Sequence, residues 1–403
     1  MTPSSGKNQN RKRHKMKKKF SSSVVVFLLL LLICTSGTVA QSKLENPQAD
    51  FTEIDNIINQ GIQDTAFPGA VVLISKDGEN LYEKAYGNFT YDKNSNKVKV
   101  NSIFDLASLT KVTATTTAAM ICVDRGLFSL DDKVAKYISE FGANKKEEVT
   151  IKNLMLHNAG LVAWKPFFKT EIKTADELLN YIYNSELQYE PGTKTVYSDW
   201  GFITLAKIIE HVTGNTLDEF CKEEIFEPLG MRRTMFNPSA KLKDEILPTE
   251  EDKYWRNRLV QGTVHDETSD MLGGVAGHAG LFSTAGDLAK LLQMLLQKGN
   301  CNGKQFVKPE TVNEFIKQQS SLSTRAIGWD TKSDKNSTAG NLLSKVSYGH
   351  TGFTGTSAWT DPTRNLIIIF LTNRVYPTRE NSKLFRIRGS LHDAVVNAVE
   401  PRK

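Results

Sequence analysis

Ser108, Lys111, Tyr197, Asp199 and the run His350-Thr351-Gly352 supply a hydroxyl, an amine, a phenol, a carboxylate and a glycine-bearing strand. Together these are the parts of a serine acyl-transfer site. Ser108-Leu109-Thr110-Lys111 opens a helical stretch, and three residues make about one turn, so hydroxyl and amine share a face. A serine hydroxyl needs a neighbouring base before it attacks a carbonyl. A lysine at its reference pKa of about 10.4 is protonated at neutral pH, and making it a base costs roughly 4 to 5 kcal/mol unless burial or a nearby cation helps. Ser4 and Lys7 repeat the spacing in a basic segment that cannot be catalytic, so the spacing alone decides little.

The accompanying groups decide more. Tyr197-Ser198-Asp199 follows the Pro191-Gly192 turn and precedes a helix, which places the phenol on a short, well-held loop. A phenol beside a lysine ammonium is a coupled pair, either of which can carry the proton. Asp199 reads equally as a helix cap or as an anion at the site. His350-Thr351-Gly352 sits between β-like segments, where glycine lets a substrate backbone approach and the next amide can donate into an oxyanion hole. His157 reads as a structural turn residue. His265, Asp266 and Asp270 lack a second histidine at ligand spacing, so no metal is expected. His278, in a glycine-rich loop, either lines the cleft or satisfies loop backbone.

The elements that must position these groups come from both chain ends. Phe51 to Asp64 carries Ile54, Ile57, Ile58 and Ile62 at helical spacing. Gly69 to Ser75 and Leu81 to Gly87 flank the turn Lys76-Asp77-Gly78-Glu79 as a hairpin. From Ser108 to about Gln297 the pattern is helical, with Thr113 to Val123, Thr174 to Tyr183, Phe202 to His211 and Leu288 to Leu296, the last capped by Thr284 with Asp287. Thr354 to Thr360 alternates weakly, Leu366 to Leu371 reads as a buried strand, and Leu391 to Val399 as a closing helix. The expected fold is α+β, an antiparallel sheet built from both ends and flanked by helices, with a mostly helical inserted lobe. The sheet lobe would span about 50–107 and 320–400, the helical lobe about 108–319, within a domain of about 45–400. A cleft between the lobes is the natural pocket.

The 403 residues carry a formal charge of +6, but residues 1–20 hold eight Lys/Arg and no Asp/Glu, and residues 21–40 hold no charge. Beyond residue 40 the chain therefore carries −2, which gives no reason to expect nucleic acid as a partner. Residues 1–40 read as an export signal: a basic segment, an apolar run from Val24 to Ile33, then the small residues of Thr38-Val39-Ala40. The run is about half a membrane span, with an uncleaved anchor as the alternative. Membrane contact is expected only through this segment. Cys34 follows Ile33 where a lipoprotein site wants a small residue. Cys122, Cys221 and Cys301 make neither a disulfide framework nor a metal site. Asn88 and Asn336 stand in glycosylation sequons that matter only in a glycosylating host.

Ser-x-x-Lys, Tyr-x-Asp and His-Thr-Gly, in this order, resemble the penicillin-recognising serine hydrolases, the branch of class C β-lactamases, D-alanyl-D-alanine carboxypeptidases and related esterases. Gly126 to Asp132, Leu156 to Leu161, Pro228 to Met231 and Gly280 to Ala285 resemble the same branch. The run from His265 through Gly273 to Gly280 is similar to a subgroup called penicillin-binding protein 4B. The resemblance covers about residues 50 to 400. It implies that Ser108 is acylated, that Lys111 orients and deprotonates it, that Tyr197 relays protons, and that the amides of Ser108 and Phe353 form the oxyanion hole. Asp199, His350, Thr351, Gly352 and His278 would contact substrate. Asp199 stands where β-lactamases usually have asparagine, and His350 where lysine is commoner. Both departures argue against an efficient antibiotic-destroying enzyme.

The resulting expectation is an exported serine hydrolase without cofactor, periplasmic or extracellular, acting on a small molecule or a cell-wall peptide ending in D-alanine, with β-lactams as ligands. An esterase on short acyl groups and a penicillin-binding sensor with negligible turnover are the alternatives. Cleavage is expected after Ala40: N-terminal sequencing of the exported protein should read Gln41 first, whereas retention of Val24 to Ile33 would mark an anchor.

Overall fold

The computed structural model describes residues 49–320 and 322–400, so the segment read as an export signal lies outside the described residues. Helix α1 (Thr52–Gln63) leads into β1 (Gly69–Lys76) and β2 (Glu79–Gly87). Asp77 and Gly78, both at positive φ, make the tight turn that Asp-Gly favours. Strands β3 (Asp330–Thr331), β4 (Tyr348–Thr351), β5 (Ser357–Asp361) and β6 (Leu366–Thr372) come from the far end of the sequence. The six form one antiparallel sheet in the order β3-β4-β5-β6-β1-β2. The seam between the chain ends is β6 against β1, with Ala70 opposite Thr372 and Lys76 opposite Leu366.

Both faces of that seam are covered, which is why β1 and β6 read as continuous apolar runs. Val71 and Leu73 of β1, with Ile367, Ile369 and Leu371 of β6, join the larger core shared with the helical middle of the chain. Their alternates Val72, Ile74, Ile368 and Phe370 pack against α1 and the closing helix α4 (Leu384–Val399) through Ile54, Ile58, Leu391 and Val395. The closing helix starts seven residues before the expected Leu391, because Leu384 and Ile387 continue its apolar face through charged neighbours.

The middle of the chain, expected to be mostly helical, also carries short strands. Leu281–Ser283 pairs with both Phe104–Asp105 and Met235–Phe236 to make a small second sheet, and Glu251–Asp252 pairs with Arg258–Leu259. Strands of two or three residues are too short to show a period. The small sheet matters because its Phe104–Asp105 strand feeds directly into Ser108.

Candidate active site

Ser108 sits in a turn rather than opening a regular helix. A wide π turn (Lys111–Thr116) follows it and continues as α2 (Thr117–Asp124). Ala107 holds φ +45°, an unusual value for a residue with a Cβ, and its amide donates to Asp105 Oδ1 at 2.8 Å. Asp105 is buried, and its second oxygen accepts the His265 amide at 2.7 Å. The turn is also tied to the loop after β4: Thr354 Oγ1 donates to the Asp105 carbonyl at 2.7 Å, and Thr356 Oγ1 to that of Leu106 at 3.0 Å.

Lys111 is fully buried, and its Nζ donates to Ser108 Oγ at 3.1 Å and to the His278 carbonyl at 2.9 Å. Asp199 Oδ1 lies 2.7 Å from the same Nζ. Burial pushes the ammonium toward losing its proton, but the Asp199 carboxylate and then Tyr197 outweigh it, so Lys111 stays above the ordinary lysine range. Ser198, not Asp199, is the N-cap of helix α3 (Asp199–Thr213); Asp199 is its first helical residue and turns its carboxylate to Lys111.

Tyr197 is held from behind. Its ring lies 4.4 Å from the His157 ring, while Lys111 Nζ and the Arg325 guanidinium lie 4.9 and 5.3 Å from its centroid. His157 Nδ1 accepts the Ser198 amide at 3.0 Å and its carbonyl accepts the Val196 amide at 2.9 Å, so this one residue brackets the tyrosine loop. His157 is buried, and burial together with Arg325 and Lys111 keeps it neutral. The Tyr197 hydroxyl is buried and has no partner among the described residues.

These groups border a cavity of about 350 Å³ lined by Ser108, Tyr197, Asp199, Asp266, Phe353 and Arg379, among others. Trp164 and Phe353, each about half exposed, add aromatic surface at its walls. Arg379 is the one arginine or lysine among the lining residues, and Glu250 and Glu267 already hold it at 2.6 and 2.7 Å. The amides of Ser108 and Phe353 donate to no other described residue. The Phe353 carbonyl accepts Arg374 Nε at 2.8 Å, and the ring stacks on His265 at 5.7 Å, so this loop is clamped. A larger groove of about 790 Å³ near Ile316 to Ser320 contains none of the predicted groups.

Four residues expected to contact substrate are not among those lining the cavity. His350 does not present a cation to the cavity: it is buried, its Nδ1 donates to the Thr351 carbonyl at 2.8 Å, and burial, Arg325 and Lys111 hold it well below the ordinary histidine range. Gly352 lies outside the cavity lining. A Cβ there would lie 2.1 Å from Thr356 Oγ1 and 2.3 Å from the Leu106 carbonyl, so glycine is required for the strand to pack on the nucleophile turn. His278 is buried with its Nε2 2.9 Å from Asp266 Oδ1, and contributes its carbonyl to Lys111. Thr351 is half-buried at the end of β4, outside the cavity lining. Asp199 is thus the one predicted substrate-contact side chain among the lining residues, with Phe353 beside it through its amide. His265 and Asp270 are engaged by Glu250 and Arg256. Sequence reasoning missed Trp164, Glu250, Glu267, Arg325 and Arg379, which are scattered and carry no motif.

Two outcomes follow from this geometry. Because His350 stays neutral at and above its reference pKa of about 6.5, KM for a carboxylate-bearing substrate and for a neutral ester should show no difference attributable to a histidine step between about pH 6 and 8; a step lost in His350→Gln would contradict this. Gly352→Ala should displace the Phe353 loop from the Ser108 turn and lower kcat by about a hundredfold, measured on a soluble ester; a rate within a few fold of wild type would refute the packing argument.

The family model described as Beta-lactamase matches residues 54–392. A protein of Escherichia coli K12 whose provisional name is D-alanyl-D-alanine carboxypeptidase is 33% identical over 357 residues, 80% of this chain and 82% of its own length. An N-acetylmuramyl-L-alanine amidase of Bacillus subtilis strain 168 is 32% identical over 416 residues, 91% of this chain and 94% of its own. Among solved structures, a class C β-lactamase superposes with a TM-score of 0.71 at 20% identity, covering 88% of this chain and 97% of its own. EstCE1, a hydrolase with promiscuous acyltransferase activity, gives 0.69 at 22%, covering 85% and 97%. The fold and these matches agree: the chain belongs to the Beta-lactamase family, within the superfamily of serine β-lactamases and penicillin-binding proteins.

Proposed function

We propose that this serine hydrolase forms an acyl-enzyme on Ser108 and cleaves amide bonds in cell-wall peptides after export. The observation that carries the reading is the contact of Lys111 Nζ with both Ser108 Oγ and Asp199, beside a cavity lined by Ser108 and Phe353, whose amides donate to no other described residue. Ser108 attacks the carbonyl carbon, the amides of Ser108 and Phe353 take the developing negative charge, and Tyr197 relays the proton to the leaving amine. Water then releases the acyl group by the same steps.

Two amide bonds are named by the relatives, one beside a C-terminal D-alanine and one joining a muramyl group to L-alanine. A terminal carboxylate asks for a free cation. His350 is buried and neutral, and Arg379 is occupied by two glutamates, while Trp164 and Phe353 offer faces suited to a sugar or another flat apolar group. These features favour the muramyl amide over the D-alanyl one. The D-alanyl reading and short-chain ester cleavage use the same nucleophile and remain the alternatives.

Intact-mass analysis of the protein exposed separately to a muramyl-L-alanine peptide, a D-Ala-D-Ala peptide, a penicillin and a p-nitrophenyl ester tests this. The expected result is turnover of the muramyl peptide faster than the D-alanyl one, with every adduct on Ser108. Ser108→Ala should lose phosphonate labelling and several orders of magnitude of activity. Labelling of the alanine variant at the wild-type rate would remove Ser108 from the role, and faster D-alanyl cleavage would reverse the substrate order.

A further inference from the structure

We propose that Asp199 is the net acceptor of the proton Ser108 loses, with Lys111 giving one of its own protons to Asp199 and taking that of Ser108. The inference rests on the reading of Ser108 as nucleophile. Lys111 Nζ makes three short polar contacts, with Ser108 Oγ at 3.1 Å, the His278 carbonyl at 2.9 Å and Asp199 Oδ1 at 2.7 Å. An ammonium has three N–H donors and no lone pair, so these three acceptors saturate it. The His278 carbonyl can only accept, and the carboxylate beside Nζ holds the proton in place against burial. Such a lysine has nowhere to put a further proton.

The difficulty is removed if Lys111 first gives up a proton. The N–H facing Asp199 breaks and its proton forms an O–H on Asp199 Oδ1, leaving a neutral amine that turns its lone pair toward Ser108. As Ser108 Oγ bonds to the substrate carbonyl carbon, its O–H breaks and that proton forms the new N–H on Lys111. Lys111 ends as it began, an ammonium; the carboxylate becomes a carboxylic acid; the negative charge has moved to the substrate oxygen between the free amides of Ser108 and Phe353. The path run backwards returns a proton to the site for the leaving amine and restores the carboxylate. An asparagine at this position keeps an oxygen acceptor for Lys111 but cannot take a proton, so the relay depends on this chain's own residue.

Other charges face the pair and must be told apart from it. Asp266, Glu267, His265 and Arg379 line the same cavity, Arg325 lies over the Tyr197 ring, and the buried His157 and His350 stand behind. Arg379 is committed to Glu250 and Glu267, and Asp266 to His278, so Asp199 is the carboxylate in contact with Lys111.

The test is the pre-steady-state rate of Ser108 acylation by an activated ester whose leaving group does not titrate, followed from acid to alkaline pH. Wild type should show a fall in rate on the acid side. In Asp199→Asn the neutral rate should drop by about a hundredfold or more, the acid fall should vanish, and the rate should climb only where alkali removes the Lys111 proton. Asp199→Glu should recover the acid fall and part of the rate. An Asp199→Asn enzyme that acylates within a few fold of wild type with the same acid fall overturns the proposal, and so does an Asp199→Glu enzyme without one. A mass adduct on a residue other than Ser108 would instead defeat the nucleophile assignment, so the two failures are separable.

Discussion

A single buried cation organises this site. Lys111 has no contact with water, and an ammonium removed from solvent is tolerable only if its neighbours return most of what hydration gave it. Three elements far apart in sequence answer that demand: the turn holding Ser108, the glycine-rich loop that turns the His278 carbonyl inward, and the first residue of α3, Asp199. The requirement to neutralise one charge thus fixes the relative placement of the Ser108 turn, the loop and the helix that follows Tyr197. It also explains why the lysine cannot be regarded as a ready base, since the same contacts that make burial tolerable keep the proton on it.

The second organising contact is between backbones. The hydroxyls of Thr354 and Thr356 reach the carbonyls of Asp105 and Leu106, and Gly352 leaves no room for a side chain between them. Two donors on different segments are thereby held as one unit. The aromatic and cationic neighbours of Phe353, His265 and Arg374, hold the same loop from outside. The direct ties between the two backbones are hydroxyl-to-carbonyl bonds and an absent Cβ.

The sequence made some of this legible and hid the rest for physical reasons. Ser108 and Lys111 were readable as neighbours because three residues separate them, and Tyr197 as a candidate because Tyr-x-Asp is a short local pattern; the structure brings the three together. The apolar runs of β1 and β6 were readable because both faces of the sheet are covered. Asp199 announced itself as a departure from a pattern, yet whether it caps a helix or meets Lys111 depends on where a segment 88 residues away in sequence returns, which no local rule contains. His350 was misread for a related reason: its residue type suggests a titrating cation, and only burial reveals that it is neutral. Arg379, Glu250 and Glu267 form a network from unrelated loops, and nothing in their neighbours marks them.

The seam of the large sheet has a consequence for how the molecule comes into being. β1 pairs on one side with its hairpin partner and on the other with β6, whose residues lie roughly three hundred positions later. Its apolar face has no lasting cover until nearly the whole polypeptide has been made. The Ser108 turn is synthesised early, but the loop that carries Phe353 comes just before β5 and β6. Docking of that loop onto the turn and closure of the sheet therefore both depend on pairing between segments far apart in sequence, the kind of contact that forms slowly because a long loop must be closed first.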